Sequence, residues 1–395
     1  MPNQSGITAP RGFRATGVAC GLKKTGALDL ALVVSDSDCA CAGMFTTNRV
    51  QAAPVLYDKA TLAQNNRALR AVIVNSGCAN ACTGEAGLAD ARAMAAETAR
   101  ALGVRDDQVL VMSTGVIGQR LPMEKIRAGI ADAAPRVSVD GSADAARAIM
   151  TTDTRPKVFA VRHSQFTIGG MCKGAGMIHP NMATMLAVIT TDAQVAPDVL
   201  ADALRVAVNQ SFNRISVDGD TSTNDTVLLL ANGAAGYTIR TPQHIEEFSD
   251  ALSRVCTNLA QQIVRDGEGA TKFVEIVVSG ARTESEAVRV AKAIANSPLV
   301  KTALYGGDAN WGRVIAAAGY SGVAVEPVKM KLRFGEVNVF ANGTPTNYDE
   351  AAATRAISGT EVSLRLDLGQ GNAQTTVWTC DLSHDYVTIN GKYRT

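Results

Sequence analysis

Apolar and polar positions along the chain follow two periods. Short runs rich in Val, Ile, Thr and Phe, bounded by Gly, Asn or Asp, read as β-strands. They cover residues 28–34, 69–74, 108–112, 158–161, 165–169, 185–189, 226–230, 273–278, 328–334, 362–366 and 375–379. Helical spacing marks residues 88–102, 142–150, 196–209, 242–264, 285–295 and 310–318. Two helices open on a capping signal: Thr241 precedes Pro242 at the first helical position, and Thr283 precedes the run SEAVRVAKAI. Strands follow one another directly at 158–169 and 362–379, which predicts antiparallel pairing and an α+β layered fold rather than a doubly wound sheet.

Composition narrows the class. The 395 residues carry 38 Lys and Arg against 37 Asp and Glu, a net charge of +1. A disordered chain needs low hydrophobicity with high net charge, and a nucleic-acid binder needs a basic excess to neutralise phosphates; neither is present. Single cores stop growing near about 250–300 residues, so two domains are expected. No apolar run approaches the roughly 18–20 residues of a membrane helix, and the opening MPNQSGITAPRGFRATG lacks the charged-then-apolar order of a signal peptide. The expectation is a cytoplasmic protein with no membrane or nucleic-acid partner. Eight cysteines in such a chain argue against a disulfide framework, and the four scattered histidines argue against a metal site. The cysteines read as small buried hydrophobes.

Glycine is abundant, at 35 residues, and phosphate-binding loops are rich in it. GGDANWGR (306–313) has Arg313 and Val314 where a Walker loop needs Lys and Ser or Thr. GGMCKGAG (169–176) lacks the strand–GxGxxG–helix context of a dinucleotide site and reads as a tight turn. The serine-elbow, zincin and S-x-x-K signatures are also missing from the sequence, so an acyl-transfer nucleophile would be of another kind. In KGAGMIHPNMATMLAVITTDA (173–193), Gly174 and Gly176 loosen the backbone, Pro180 stops a helix, and Ala183-Thr184 opens an apolar β-like run. On pattern alone, Thr184 begins a strand.

That segment resembles the self-cleavage site of the ornithine acetyltransferase family, the bifunctional glutamate N-acetyltransferases of arginine biosynthesis. Further blocks resemble the family in its order: RGFRATGV (11–18), DLALVVSD (29–36), MFTTNRVQAAPV (44–55), VNSGCANACTG (74–84), STGVIG (113–118), MTTDTRPK (150–157), SVDGDTSTNDT (216–226), RDGEGATK (265–272), YGGDANWGR (305–313) and DLSHDYVTIN (381–390). Cys78 departs from the pattern, because the family more often has Asn there.

The resemblance implies an α/β (α+β) fold: a layered α-β-β-α sandwich of the self-cleaving DmpA/ornithine acetyltransferase type, in two domains. It implies a cut between Ala183 and Thr184, giving an alpha chain of residues 1–183 and a beta chain of residues 184–395, paired again as an α2β2 heterotetramer. Thr184 would be the nucleophile, with the Thr114 hydroxyl and Gly115 N–H as the oxyanion hole. Substrate contacts would fall on Thr151, Lys173, Thr184, Glu268, Asn390 and Thr395, with neither metal nor organic cofactor. Lys173 suits an α-carboxylate and Glu268 the ornithine ammonium. Thr395 is the last residue of the sequence, so the C-terminus is expected to fold back into the site.

The chemistry wants these residue types. A Thr hydroxyl needs an adjacent base, and a freed α-amine with a pKa of about 7.7–8.0 supplies one on the same residue. The implied reaction moves acetyl from N-acetylornithine to Thr184 and then to glutamate; in the family acetyl-CoA also occurs as a donor. Rival readings are an aminopeptidase of the same self-cleaving fold and a non-catalytic amino-acid-binding protein.

Overall fold

The computed structural model of the chain describes residues 6–179 and 185–392, which form two compact units. Among the described residues, the first comprises those up to Asn213 together with Asp220–Ile263, and the second comprises Arg214–Gly219 and residues 264–392.

The first unit is built on two sheets that share one long strand. The first sheet holds β1 (Phe13–Val18), the opening half of β2 (Leu30–Phe45), β3 (Leu69–Cys78) and β4 (Val109–Val116). The second holds the remainder of β2 with β5 (Lys157–Arg162), β6 (Thr167–Lys173), β7 (Leu186–Thr191) and β10 (Thr226–Ala231). A small ladder joins β8 (Gln194–Val195) to β11 (Thr238–Ile239). The pairing of β2 shifts between Val34 and Cys39: residues 30–35 pair with β1 and residues 40–45 with β10.

Alternation along the strands explains the layering. Ala31, Val33, Val72, Val74, Leu110 and Met112 form one core with Met171, Leu186, Val188, Leu228 and Leu230 of the other sheet. Their neighbours Leu30, Leu32, Ala71, Ile73, Val109 and Val111 face away and pack on α2 (Gly84–Leu102) and α3 (Met123–Ala133), beside α1 (Ala53–Gln64). Ala145, Ala146 and Ala148, from α4 (Ser142–Ala148), join the shared core. On the outer side of the second sheet lie α5 (Pro197–Gln210) and α6 (Pro242–Arg265), with Val255 and Leu259 over Gly170 of β6. The order is helix, sheet, sheet, helix, as expected. Large-to-small changes in such a core cost about 2–5 kcal/mol each.

In the second unit a seven-stranded sheet runs in the order β15-β14-β13-β16-β12-β17-β9. Its strands are β9 (Ile215–Ser216), β12 (Phe273–Ala281), β13 (Lys331–Phe334), β14 (Val337–Ala341), β15 (Thr344–Pro345), β16 (Glu361–Asp367) and β17 (Ala373–Cys380). One face carries Val274, Ile276, Val278, Leu364, Leu366 and Val377. It buries against α7 (Glu284–Asn296), α9 (Trp311–Gly319) and α10 (Glu350–Ser358), while α8 (Pro298–Gly306) and α11 (His384–Lys392) complete the unit.

The structure corrects several expectations. β5 and β6 pair antiparallel as predicted, but β16 and β17 are separated by β12, parallel to the first and antiparallel to the second. The connection between them crosses the end of β12, where the Leu368 and Gln370 N–H groups donate to Ser279 O and Gly280 O. The expected turn at 169–176 is strand as far as Lys173, and a Cβ on Gly169 would stand 2.0 Å from Gly6 O, so glycine there serves close approach. Residues 327–329 form a 3₁₀ turn started by Pro327, which delays the predicted strand to Lys331.

Both predicted caps are present: Thr241 Oγ1 accepts from His244 N–H and Thr283 Oγ1 from Glu286 N–H. The rejected phosphate motif joins two helices, with left-handed Gly307 ending α8 and the Asn310 side chain capping α9. All eight cysteines are unbridged; six are buried, Cys20 is half-buried and Cys82 is exposed. Among the described residues no helix is long and apolar enough to cross a membrane.

Candidate active site

β4 continues to Val116, past the strand end expected at residue 112, so Ser113, Thr114 and Gly115 are strand residues. Gly115 has φ 128°, and a Cβ on it would stand 2.3 Å from the carbonyl carbon of Gly77. Only glycine permits that approach of β4 to β3. The register shifts beside it, where Cys78 pairs with both Thr114 and Val116, and such bulges re-aim the residues they contain.

Three buried side chains hold this strip. Ser113 Oγ donates to Asn75 Oδ1 at 2.6 Å, and Asn75 Nδ2 donates to Cys78 O at 2.8 Å. Asn224 Nδ2 donates to Ala79 O at 2.7 Å and to Ser113 O at 2.8 Å, tying the ends of β3 and β4 together. Carbonyls at the ends of buried strands need such partners. The Cys78 thiol lies 3.3 Å from Gln119 O, and burial raises its pKa.

From the other sheet comes Lys173, the last residue of β6, buried to 6% exposure. Its Nζ donates to Thr114 Oγ1 at 3.4 Å. Lys173 is also paired in register with Leu186, the first residue of β7. A cation and a hydroxyl therefore meet where β4 and β6 end, beside the start of β7.

Beneath them is Asp153, with no exposed side-chain surface. Its Oδ2 accepts from Thr151 N–H at 3.0 Å; its Oδ1 accepts from Gly174 N–H at 2.7 Å and from Lys157 Nζ at 2.6 Å. Burial alone would raise the Asp153 pKa, but Lys173, Lys157 and the Gly174 N–H together hold it down at about 2. Lys23 stands nearby and donates to Leu28 O at 2.6 Å; desolvation lowers its pKa against the pull of Asp29 and Asp153.

In the second unit Glu268 is buried, and Asn390 Nδ2 of α11 donates to its Oε2 at 2.7 Å. The turn carrying Glu268 is pinned on both sides. Asp381 Oδ1 accepts from the N–H groups of Thr271 and Lys272 at 2.8 and 2.9 Å, and Ser383 Oγ donates to Gly269 O at 2.6 Å.

Of the residues singled out in the sequence, Thr114, Gly115, Thr151 and Lys173 lie together in the first unit, and Glu268 and Asn390 lie together in the second. Pro180, Ala183, Thr184 and Thr395 are outside the described residues. Sequence reading missed Asn75, Asn224, Asp153 and Lys157. All four sit in blocks quoted above, and the available signal was polar side chains at the edges of apolar strands. Among the described residues no group of three or more His, Cys, Asp or Glu is placed to hold a metal. Chemically, the junction of half-buried Thr114 and buried Lys173 offers a hydroxyl and an ammonium to an anionic or polarised oxygen.

Comparison with known proteins adds an independent finding. The ArgJ family model matches residues 14–395. The arginine biosynthesis bifunctional protein ArgJ of Symbiobacterium thermophilum is 52% identical over 99% of this chain and 98% of its own length. Its namesake in Thermotoga neapolitana is 49% identical over 98% and 99%. The crystal structure of arginine biosynthesis bifunctional protein argJ from Bacillus halodurans, 46% identical, superposes with a TM-score of 0.50 over 52% of this chain and 97% of that one.

Proposed function

The chain belongs to the ArgJ family, and on that premise we propose that it is an acetyltransferase of arginine biosynthesis that carries acetyl from N-acetylornithine to glutamate through Thr184. The observation that carries this reading is the meeting of Thr114 and Lys173 at the ends of β4 and β6, beside the strand that follows Thr184 in sequence.

The chain first divides itself. The Thr184 hydroxyl attacks the Ala183 carbonyl, the peptide becomes an ester, and water hydrolyses it. The new α-amine of Thr184 is then the base for its own hydroxyl. That hydroxyl attacks the acetyl carbonyl of N-acetylornithine, the Thr114 hydroxyl and Gly115 N–H stabilise the oxyanion, and ornithine leaves with the proton. The glutamate amine attacks the acetyl ester, giving N-acetylglutamate and restoring the Thr184 hydroxyl. An oxyanion donor of this kind is worth about 3–4 kcal/mol.

Lys173 takes the substrate α-carboxylate, Thr151, Asn390 and Thr395 contribute polar contacts, and Glu268 takes the side-chain ammonium of the ornithine donor. Fragments 1–183 and 184–395 remain together and pair as α2β2 in the cytoplasm. The solved relative supports the division: 97% of its chain corresponds to about half of this one. Acetyl-CoA, the other donor that the family resemblance implies, is the second candidate for the same site. The test is acetyl transfer to glutamate with N-acetylornithine and acetyl-CoA offered separately. Transfer from N-acetylornithine is expected, and its absence, with or without transfer from acetyl-CoA, would overturn the reading.

A further inference from the structure

The geometry points to Asp153 and Lys157 as a positioning pair that fixes two substrate contacts, Thr151 and Lys173, through the N–H groups of Thr151 itself and of Gly174, the residue after Lys173. Neither residue of the pair was assigned a role by the sequence, and the inference rests on the acetyl transfer proposed above.

One carboxylate gathers three pieces of chain. Asp153 Oδ2 holds the Thr151 N–H at 3.0 Å, and Oδ1 holds the N–H of Gly174, the residue directly after Lys173, at 2.7 Å. Lys157 Nζ closes on the same Oδ1 at 2.6 Å, and both side chains are without exposed surface. Lys157 opens β5 and is in register with Cys172, which precedes Lys173 in β6, so the pair is anchored on the strand that ends in the pocket cation. A buried ion pair of this sort adds little net stability compared with apolar residues of similar volume. Its hydrogen bonds instead specify where the backbones of Thr151 and Gly174 stand, and a displacement of about 1 Å in a binding group is enough to weaken a site strongly. Asp153 stays ionised across the working pH range, because the two lysines and the Gly174 N–H outweigh its burial.

Asp153→Asn keeps the shape but removes one of the two acceptor oxygens, and it leaves Lys157 buried without its carboxylate. Asp153→Asn combined with Lys157→Met removes both charges, so it preserves the fold where the single change does not. Steady-state kinetics are measured with N-acetylornithine and glutamate on divided, folded protein, alongside thermal unfolding. For a positioning pair, the double variant unfolds near the wild-type temperature, KM for both amino acids rises about tenfold or more, and kcat changes by less than about threefold, because uniform binding has been removed. Wild-type KM values in the double variant, with or without a lower kcat, would overturn the inference and leave the pair a structural element only. Failure of the wild type itself to transfer acetyl would instead overturn the function on which the inference stands.

Discussion

Asn390 Nδ2 donates to Glu268 Oε2 at 2.7 Å, so a residue of the last helix orients the carboxylate carried by the turn R-D-G-E-G. The hydrogen bond fixes one oxygen, and under the proposed function the carboxylate's charge takes the ornithine ammonium. Glu268→Gln keeps an acceptor for Asn390 and removes that charge. The expected result is a rise of about 10- to 100-fold in KM for N-acetylornithine, the loss of one charged hydrogen bond, with a much smaller change for glutamate, which has no side-chain ammonium. Equal changes for both substrates would remove Glu268 from ammonium recognition.

Thr114→Val deletes the hydroxyl beside Lys173 while keeping the β-branched shape. Acetyl transfer should fall by about 10²–10³ in kcat, and Thr114→Ser should recover most of it. The comparison is made on protein that has already divided. A Thr114→Val enzyme with wild-type kcat would show that the hydroxyl is not an oxyanion donor.

Much of this was legible in the sequence, for identifiable reasons. Strands β3, β4, β7 and β10 announce themselves because most of their residues are buried on both faces and carry apolar runs, whereas β1, a short alternating run, and the second half of β2, with the small and polar residues SDSDCACAG, do not read as strands. Helix α1 was missed because its buried positions are Ala53, Pro54, Val55, Asp58 and Thr61, a face with almost no apolar periodicity. Helix α10 buries only Ala353 and Ile357. The pairing of β16 with β12 depends on a crossing loop, and local pattern carries no such information. At the site, Thr114, Gly115, Thr151 and Lys173 came from the family resemblance. Asp153 stayed hidden because a charged residue in a polar stretch reads as solvated, and only the fold shows that it is buried.

Thr395 offers a further test. The proposed function gives it a polar contact with the substrate, so Thr395→Ala should raise KM for both amino acids by about threefold or more. Steady-state assays of the variant decide this, and unchanged KM values would remove Thr395 from substrate binding.

A buried acid in α1 gives the first unit a pH signature. Asp58 Oδ1 accepts from Val111 N–H at 2.8 Å, its Oδ2 has no hydrogen-bond partner, and burial raises its pKa well above the ordinary carboxylate value. A carboxyl whose folded pKa is raised contributes fully below the unfolded value near 4, and its contribution declines as pH climbs toward the folded value. The slope is up to about 1.4 kcal/mol per pH unit. Asp58→Asn carries no such titration, so its stability relative to the wild type should improve steadily as denaturation is measured from pH 4 to 7. A difference that does not vary with pH would show that Asp58 is not held neutral.

The most direct measurement is the intact mass of the denatured protein after incubation with N-acetylornithine and no glutamate. The expected result is two fragments, of 183 and 212 residues, the larger heavier by one acetyl group that disappears when glutamate is added. Thr184→Ala should stay one chain, unacetylated and inactive. A chain that remains whole and still transfers acetyl, or a Thr184→Ala variant with wild-type activity, would contradict the assignment of Thr184 as the nucleophile made by self-cleavage.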